Sequence, residues 1–270
     1  MKSFLFTIIM FCIYTNIFSQ IENILPSPQT IAGASVANFH DYSVFQNPSN
    51  IAFAESNILL AQYENKFIIR ELSRKGVSFT GHTNLLNYRF SFSHFGYSLY
   101  NEILLGAGFA RNFANKFSMG LQFDYYTFYS GVDNKYRSAF FPQFGINVLI
   151  SPVFYWGFQA LNPFQTNIKC ETTYKRIPSV YSLGFCYLPV SSVKLLIQTE
   201  KEVSSDFRLA TGLEYTMKDF LTFKSGVYYT YYLVPCLGFS FKYSQIQFGL
   251  NTDIHPLLGL ISNATLSYSF

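Results

Sequence analysis

The residues of this chain that could do chemistry are few and scattered. The four histidines, His40, His82, His94 and His255, stand far apart in the sequence. The sequence contains no GxSxG, HExxH or CxxC pattern and no glycine-rich phosphate loop. A single histidine on a wall or at a turn is usually a plain polar side chain. We therefore predict no catalytic residue, no metal site and no cofactor, and a protein that is not an enzyme.

The cysteines support neither a disulfide framework nor a zinc site. Cys12 falls in the apolar N-terminal stretch, which leaves Cys170, Cys186 and Cys236 in the rest of the chain. Three is an odd number, and no two of them are closely spaced. Cys186 shares a strand face with small residues, where a thiol acts as a small hydrophobic group.

The composition is aromatic and poor in charge. Aromatic residues make up 20% of the chain and charged residues 13%, whereas a soluble domain carries roughly 25% charged residues. The formal net charge is +4, but the lysines and arginines are scattered singly. Because no basic stripe is present, we exclude nucleic acid as a partner.

Alternation of apolar and polar residues is the strongest structural signal. In LGFSFKYSQIQFGLN, residues 237–251, the large apolar residues fall on odd numbers up to Tyr243 and on even numbers from Ile246. Period two predicts a strand with two different faces, and the change of parity predicts a tight hairpin near Ser244. One face then holds Phe239, Phe241, Tyr243, Phe248 and Leu250, and the other Lys242, Gln245 and Gln247.

The same alternation recurs along most of the chain and predicts about 14 strands, with 12 as the fallback, and no long helix. We place the strands at 57–68, 75–83, 87–97, 102–112, 115–130, 138–150, 153–161, 178–188, 192–202, 206–217, 220–231, 235–243, 245–254 and 260–270.

The character of the two faces decides which one points outward. A soluble sheet would carry many charges on its polar face. Here that face holds mostly Gly, Ser, Thr, Gln and Asn. Strands of this length, aromatic outside and small-polar inside, fit an all-β, closed antiparallel transmembrane barrel, since lipid tolerates no open sheet edge. A secreted soluble barrel or sandwich is the alternative.

The parity of the strands also selects charges that should point into the lumen. We expect two possible roles for them, a polar path or binding site, and a salt-bridged interior that closes the barrel and holds a plug, of which we favour the second. The predicted lumen-facing charges are Glu102, Asp124, Lys194, Glu200, Arg208, Glu214, Lys224 and Lys242.

The N-terminal quarter has a different character from the strands. Residues 1–19, MKSFLFTIIMFCIYTNIFS, have the basic start and short apolar core of a cleaved signal peptide, with a membrane anchor as the alternative. Residues 20–56 are irregular, and we expect 30–55 to lie inside the barrel or cap its periplasmic end. Residues 57–270 form the barrel, which we place in the outer membrane of a Gram-negative-type cell.

Two segments resemble a known family. GASVANFHDYSVFQNPSNIAF, residues 33–53, resembles the N-terminal signature of the FadL-like outer-membrane proteins. Gly33-Ala34, Asp41 and Asn47-Pro48 match it, whereas Ser49 replaces an alanine and Tyr42 an acidic residue. The final HPLLGLISNATLSYSF resembles that family's last strand, and its terminal Phe270 resembles the signal read by the barrel assembly machinery. ENKFIIRELS and FGYSLYNE suggest the PorV/PorQ branch, which is associated with type IX secretion.

The resemblance implies a 14-stranded barrel with an N-terminal hatch and two different roles. The first reading is a scaffold or cargo-handling barrel of type IX secretion, with secretion components as partners. The alternative is a channel that passes small hydrophobic molecules across the outer membrane. For the Asn47-Pro48 pair we leave two roles open, shaping a hatch and forming a turn that docks the segment. Lipid and the barrel assembly machinery are expected partners in both cases.

Overall fold

A computed structural model describes residues 25–132, 134–170 and 174–270. Within them, 14 strands close into one antiparallel barrel, as the alternation predicted. The strand ends agree with the predicted ends to within three residues. The expected signal peptide, residues 1–19, lies outside the described residues. No helix in the described ranges is long and apolar enough to cross a membrane.

The strands follow the chain around the wall, and a small separate hairpin, β8 and β9, interrupts the sequence of wall strands. The wall strands are β1 (Ile58–Lys66), β2 (Ser73–Gly81), β3 (Asn87–Tyr97), β4 (Tyr100–Phe113), β5 (Phe117–Ser130), β6 (Lys135–Ser151), β7 (Phe154–Leu161), β10 (Val180–Val190), β11 (Val193–Glu202), β12 (Phe207–Met217), β13 (Leu221–Tyr229), β14 (Leu233–Tyr243), β15 (Ile246–His255) and β16 (Gly259–Ser269). The hairpin comprises β8 (Asn167–Lys169) and β9 (Tyr174–Arg176).

The wall closes where the first and last strands pair. Ile58 lies opposite Ser269 and Lys66 opposite Ile261, so the β1–β16 ladder is continuous. Asn57 and Phe270 also exchange backbone hydrogen bonds of 3.1 and 2.9 Å. No described wall strand has an unpaired edge. We call the end of the barrel that holds Phe270 the terminal end, and the opposite end, where β7 leads into residues 162–179, the loop end.

The two faces of each strand meet different surroundings. In β5, Gln122 and Asp124 are fully buried, whereas Leu121 and Phe123 expose 41% and 45% of their surface. The same alternation runs through β14 and β15, which join at a tight turn where Ser244 has a φ of 53° and Tyr243 pairs with Ile246. The barrel therefore presents an apolar outer surface and a polar lumen.

Residues 25–56, which we call the plug, lie inside the lumen and occupy part of it. The plug contains two short 3-10 turns, Ile31–Gly33 and Pro48–Phe53. Its apolar side chains face the small inward residues of the wall, and Ile31 and Phe45 are completely buried. The plug contains no strand and pairs with none. Its backbone N–H and C=O groups must therefore form hydrogen bonds within turns and with polar side chains of the wall.

Candidate functional site: the plug, the lumen charges and two cavities

The Asn47-Pro48 pair fixes one end of the plug against the wall. The Asn47 side chain accepts hydrogen bonds from the backbone and hydroxyl of Ser49 at 3.1 and 2.8 Å, and donates to the Val36 carbonyl at 2.7 Å. A β-carbon at Gly145 would collide with the Asn47 oxygen. The asparagine thus caps the 3-10 turn that Pro48 begins, and a glycine in the wall makes room for it.

Asp41 organises the middle of the plug from a buried position, with 2% of its surface exposed. One carboxylate oxygen accepts from the Thr30 backbone at 3.1 Å and from the Thr30 hydroxyl. The other accepts from the Ser43 backbone at 2.9 Å and from the Ser43 hydroxyl. The carboxylate therefore ties two distant parts of the plug together.

The Gly33-Ala34 pair lies beside Arg208 of β12. Gly33 has a φ of +70°, and a β-carbon there would come within 2.8 Å of the guanidinium. Arg208 donates to the neighbouring Ala32 carbonyl and forms an ion pair with Glu200 at 3.0 Å. Its guanidinium also lies 4.3 Å from the centre of the Tyr228 ring. Glycine is suited to this position because of both its backbone conformation and this close approach.

Residues 27–30, which we call the strap, cross the lumen and are held by side chains of the wall. Asn251 and Lys224 donate to the Gln29 carbonyl, both at 2.7 Å. Asn263 donates to the carbonyls of Ser27 and Pro28 at 3.1 and 3.2 Å. These contacts satisfy a strap backbone that has no secondary structure of its own.

The structure places all eight predicted charges on the lumen side of the wall, in several separate groups. Glu200 and Arg208 form one pair, and Lys194 and Glu214 form another at 3.7 Å. Lys224 holds the strap, and Lys242 lies at the terminal end. Asp124 accepts hydrogen bonds from Gln122 and Gln143 at 2.8 and 2.6 Å, and Glu102 contacts the loop-end hairpin.

Other lumen residues that the sequence analysis did not select also hold the plug. Glu64, with 1% exposure, accepts from the Ser27 backbone at 2.7 Å. Arg89 is completely buried and donates to the Ser43 carbonyl at 3.2 Å. Arg89 lies on the polar face of β3, so the parity that selected the eight charges would have selected it as well. Glu64 shares its face of β1 with the apolar Ile58 and Leu60, so the parity of that strand does not single it out. Among the described residues, no three His, Cys, Asp or Glu side chains are grouped closely enough to hold a metal ion.

The connection between β7 and β10, residues 162–179, folds inward over the lumen. Ile168 and Ile177 are each 3% exposed and pack in one apolar cluster with Val44 and Phe45 of the plug. Asn162 closes the base of the connection, since its side chain donates to the carbonyls of Thr166 and Ile177 at 3.1 and 3.0 Å. The connection therefore caps part of the loop end.

Two cavities lie on opposite sides of the strap. The first, about 450 Å³, opens at the loop end, and we call it the vestibule. Ser27, Pro28 and Thr30 line its floor. The second, about 520 Å³, opens at the terminal end, and Gln29 lines it together with Tyr42. Residues of the strap therefore line both cavities.

The Tyr42 phenol, which lines the second cavity, donates a hydrogen bond to the Phe53 carbonyl at 3.0 Å. Burial raises the pKa of this phenol.

The closed 14-strand antiparallel barrel is a fold that several solved structures share. Among solved structures, the Pseudomonas putida toluene transporter TodX is similar with a TM-score of 0.67, over 89% of this chain and 96% of that one, at 10% identity. A Pseudomonas aeruginosa FadL homologue gives 0.59, over 84% and 93%, at 10% identity.

The Ralstonia pickettii toluene transporter TbuX gives a TM-score of 0.57, over 83% of this chain and 92% of that one, at 9% identity. No family model matches the chain, and no curated protein matches it. At such low identity these likenesses establish the fold. They agree with the resemblance to FadL-like proteins, while the PorV/PorQ branch is not represented among the structures named.

Proposed function

We propose that this protein is a non-enzymatic outer-membrane channel that lets small apolar molecules cross along the barrel axis. The observation that carries the proposal is the pair of cavities separated by the strap. Each cavity has the size of an ordinary small-molecule site. Because the described wall has no unpaired strand edge, a solute inside the lumen has to pass the strap rather than leave sideways.

The comparisons favour a channel over a type IX secretion scaffold. Two of the structures named above are toluene transporters, and none of the three is a secretion component. Three of the eight predicted charges, Lys194, Arg208 and Lys224, donate hydrogen bonds to the plug, which supports the structural role that the sequence analysis favoured for these charges. We place the loop end outside the cell and the terminal end, where Phe270 would be read during assembly, in the periplasm.

The channel can be tested with a fluorescent apolar probe such as N-phenylnaphthylamine, which intact outer membranes exclude. Host cells that display the protein are expected to take up the probe faster than cells without it. The double variant Asn251→Ala/Asn263→Ala removes three hydrogen bonds to the strap and should increase uptake further, by roughly tenfold if strap opening limits the rate.

Two tryptophan variants control for membrane damage. Thr230 lines the vestibule, so Thr230→Trp should reduce uptake by filling the path. Val132 is 94% exposed at a turn of the loop end and lines neither cavity, so Val132→Trp should leave uptake unchanged. Equal uptake by the parent, Thr230→Trp and cells without the protein, at matched surface amounts, would contradict the channel.

The outward face provides a test of the membrane location. Phe241 is 42% exposed on the outer surface of β14, and Lys242 follows it on the lumen side. A lipid-facing cation costs roughly 2–4 kcal/mol near the bilayer midplane but only about 1 kcal/mol or less near an interface. Phe241 lies close to the end of β14, whereas Leu237 lies at its middle and is 57% exposed, so the outward substitution Leu237→Arg should impair folding into lipid while the lumen substitution Lys242→Ala folds normally. Heat-modifiable electrophoretic migration after insertion into vesicles measures both. The reverse pattern would mean that the outer surface does not face lipid.

A further inference from the structure

We infer that the vestibule prefers aromatic solutes that carry a cationic amine and disfavours those that carry a carboxylate. This inference rests on the proposed channel function and extends its solutes from apolar molecules to aromatic molecules that carry one cationic group. It depends on the charges, the ion pairs and the rings that line the vestibule.

The lining of the vestibule is acidic although the chain as a whole is basic. The chain has a formal net charge of +4. The vestibule, by contrast, is lined by four carboxylates and two basic side chains, an excess of two negative charges. The carboxylates belong to Glu200, Glu202, Asp206 and Asp253, and the basic groups to Lys66 and Arg208.

Both basic groups already have carboxylate partners. Arg208 forms its ion pair with Glu200 at 3.0 Å, and Lys66 approaches Glu64 at 3.9 Å just below the vestibule. Asp253 lies within electrostatic reach of Arg208, yet no ion pair to Glu202, Asp206 or Asp253 is found among the described residues. An anionic solute would therefore find no unpaired cation in this lining, whereas a cationic solute would find uncompensated carboxylates.

The rings of the vestibule are suited to a cation as well as to an apolar body. Phe67, Phe95, Tyr228 and Tyr231 line the cavity. Two of these rings already hold basic groups of the chain, since Arg208 lies 4.3 Å from the centre of Tyr228 and Arg74 lies 4.9 Å from the centre of Phe95. The face of an aromatic ring attracts cations. The other two rings, those of Phe67 and Tyr231, and the carboxylates of the lining together form a binding environment for an aromatic amine.

The inference can be tested by measuring binding to the purified barrel in neutral detergent at low ionic strength. Three probes of similar size differ in their charge: benzylammonium, benzyl alcohol and benzoate. We expect benzylammonium to bind roughly tenfold more tightly than benzoate, with benzyl alcohol between them. Added salt should reduce the difference, because it screens exposed charges.

A charge-neutralised variant separates the vestibule from the rest of the surface. Glu202→Gln/Asp206→Asn/Asp253→Asn should abolish the preference for benzylammonium while benzyl alcohol still binds. The control, Glu71→Gln/Asp219→Asn, changes carboxylates that line neither cavity and should preserve the preference.

Three outcomes would overturn the inference: benzoate binding as tightly as benzylammonium, a preference that survives in the triple variant, and the absence of binding by all three probes. The cellular uptake test is independent of this measurement. Uptake of the neutral probe without a charge preference would overturn only the substrate class, whereas a charge preference without uptake would overturn the channel and leave the vestibule as a binding site.

Discussion

Asp41→Ala is expected to loosen the plug while the wall of the barrel stays folded. The substitution removes the acceptor for four hydrogen bonds, from the backbone and hydroxyl of Thr30 and of Ser43. A buried donor left without an acceptor costs roughly 1–3 kcal/mol. Since the two hydroxyls can turn to other partners, we expect the free energy of plug opening to fall by about 4 kcal/mol.

Hydrogen exchange followed by mass spectrometry measures this change directly. Amides of residues 27–45 should exchange faster, and amides of β12 to β16 should keep the parent's protection. Asp41→Asn retains one accepting oxygen, so it should produce an effect of about half the size. Asp219 lies at an exposed turn, and Asp219→Ala serves as the matched control. Parent-like exchange in the plug of Asp41→Ala would show that the carboxylate does not hold the plug together.

The sequence predicted the wall well because a strand between lipid and a polar lumen has to alternate. A slip of one residue would turn every side chain to the wrong face, so the parity of Phe239, Phe241 and Phe248 carries enough information to place the hairpin at Ser244. The same parity selected the eight charges that we predicted to face the lumen. Applied to β3, it would also have found Arg89, but not Glu64, because Ile58 and Leu60 share the inward face of β1.

The plug and the inward-folded connection could not be predicted in the same way. Neither has a repeating pattern, because turns and single side-chain contacts satisfy their backbones. Asp41 drew attention only through a family resemblance, and nothing in the sequence indicated its partners Thr30 and Ser43. Ile168 and Ile177 are isolated apolar residues in a polar connection, and the residues that bury them lie in distant parts of the chain.

The side chain of one residue, Lys175, holds the loop-end hairpin, β8 and β9, against the wall. The Lys175 ammonium lies 2.7 Å from a carboxylate oxygen of Glu102, which is 3% exposed. The aromatic rings of Tyr100, Phe128 and Tyr126 surround it with centres at 4.9, 5.0 and 5.9 Å. A buried ion pair that loses one partner leaves an uncompensated charge, at a cost of about 3–5 kcal/mol.

Glu102→Gln is therefore expected to release the hairpin. A loss of about 3 kcal/mol corresponds to roughly a hundredfold increase in the open population, and cleavage by trypsin after Lys169 and Arg176 should accelerate in proportion while opening is fast relative to cleavage. Glu71 is exposed at the same end of the barrel, so Glu71→Gln is the control and should be cleaved at the parent rate.

Lys175→Met distinguishes the ion pair from simple packing. An uncharged methionine side chain fits between aromatic rings, and Glu102 keeps its contacts with Arg74 at 3.9 Å and with the Tyr100 hydroxyl at 2.6 Å. The lysine variant should therefore release the hairpin less than Glu102→Gln, and adding Lys175→Met to Glu102→Gln should slow cleavage again, because the double variant leaves no unpaired ammonium. If the two substitutions acted additively, the hairpin would be held by the packing of Ile168 and Ile177 rather than by the ion pair.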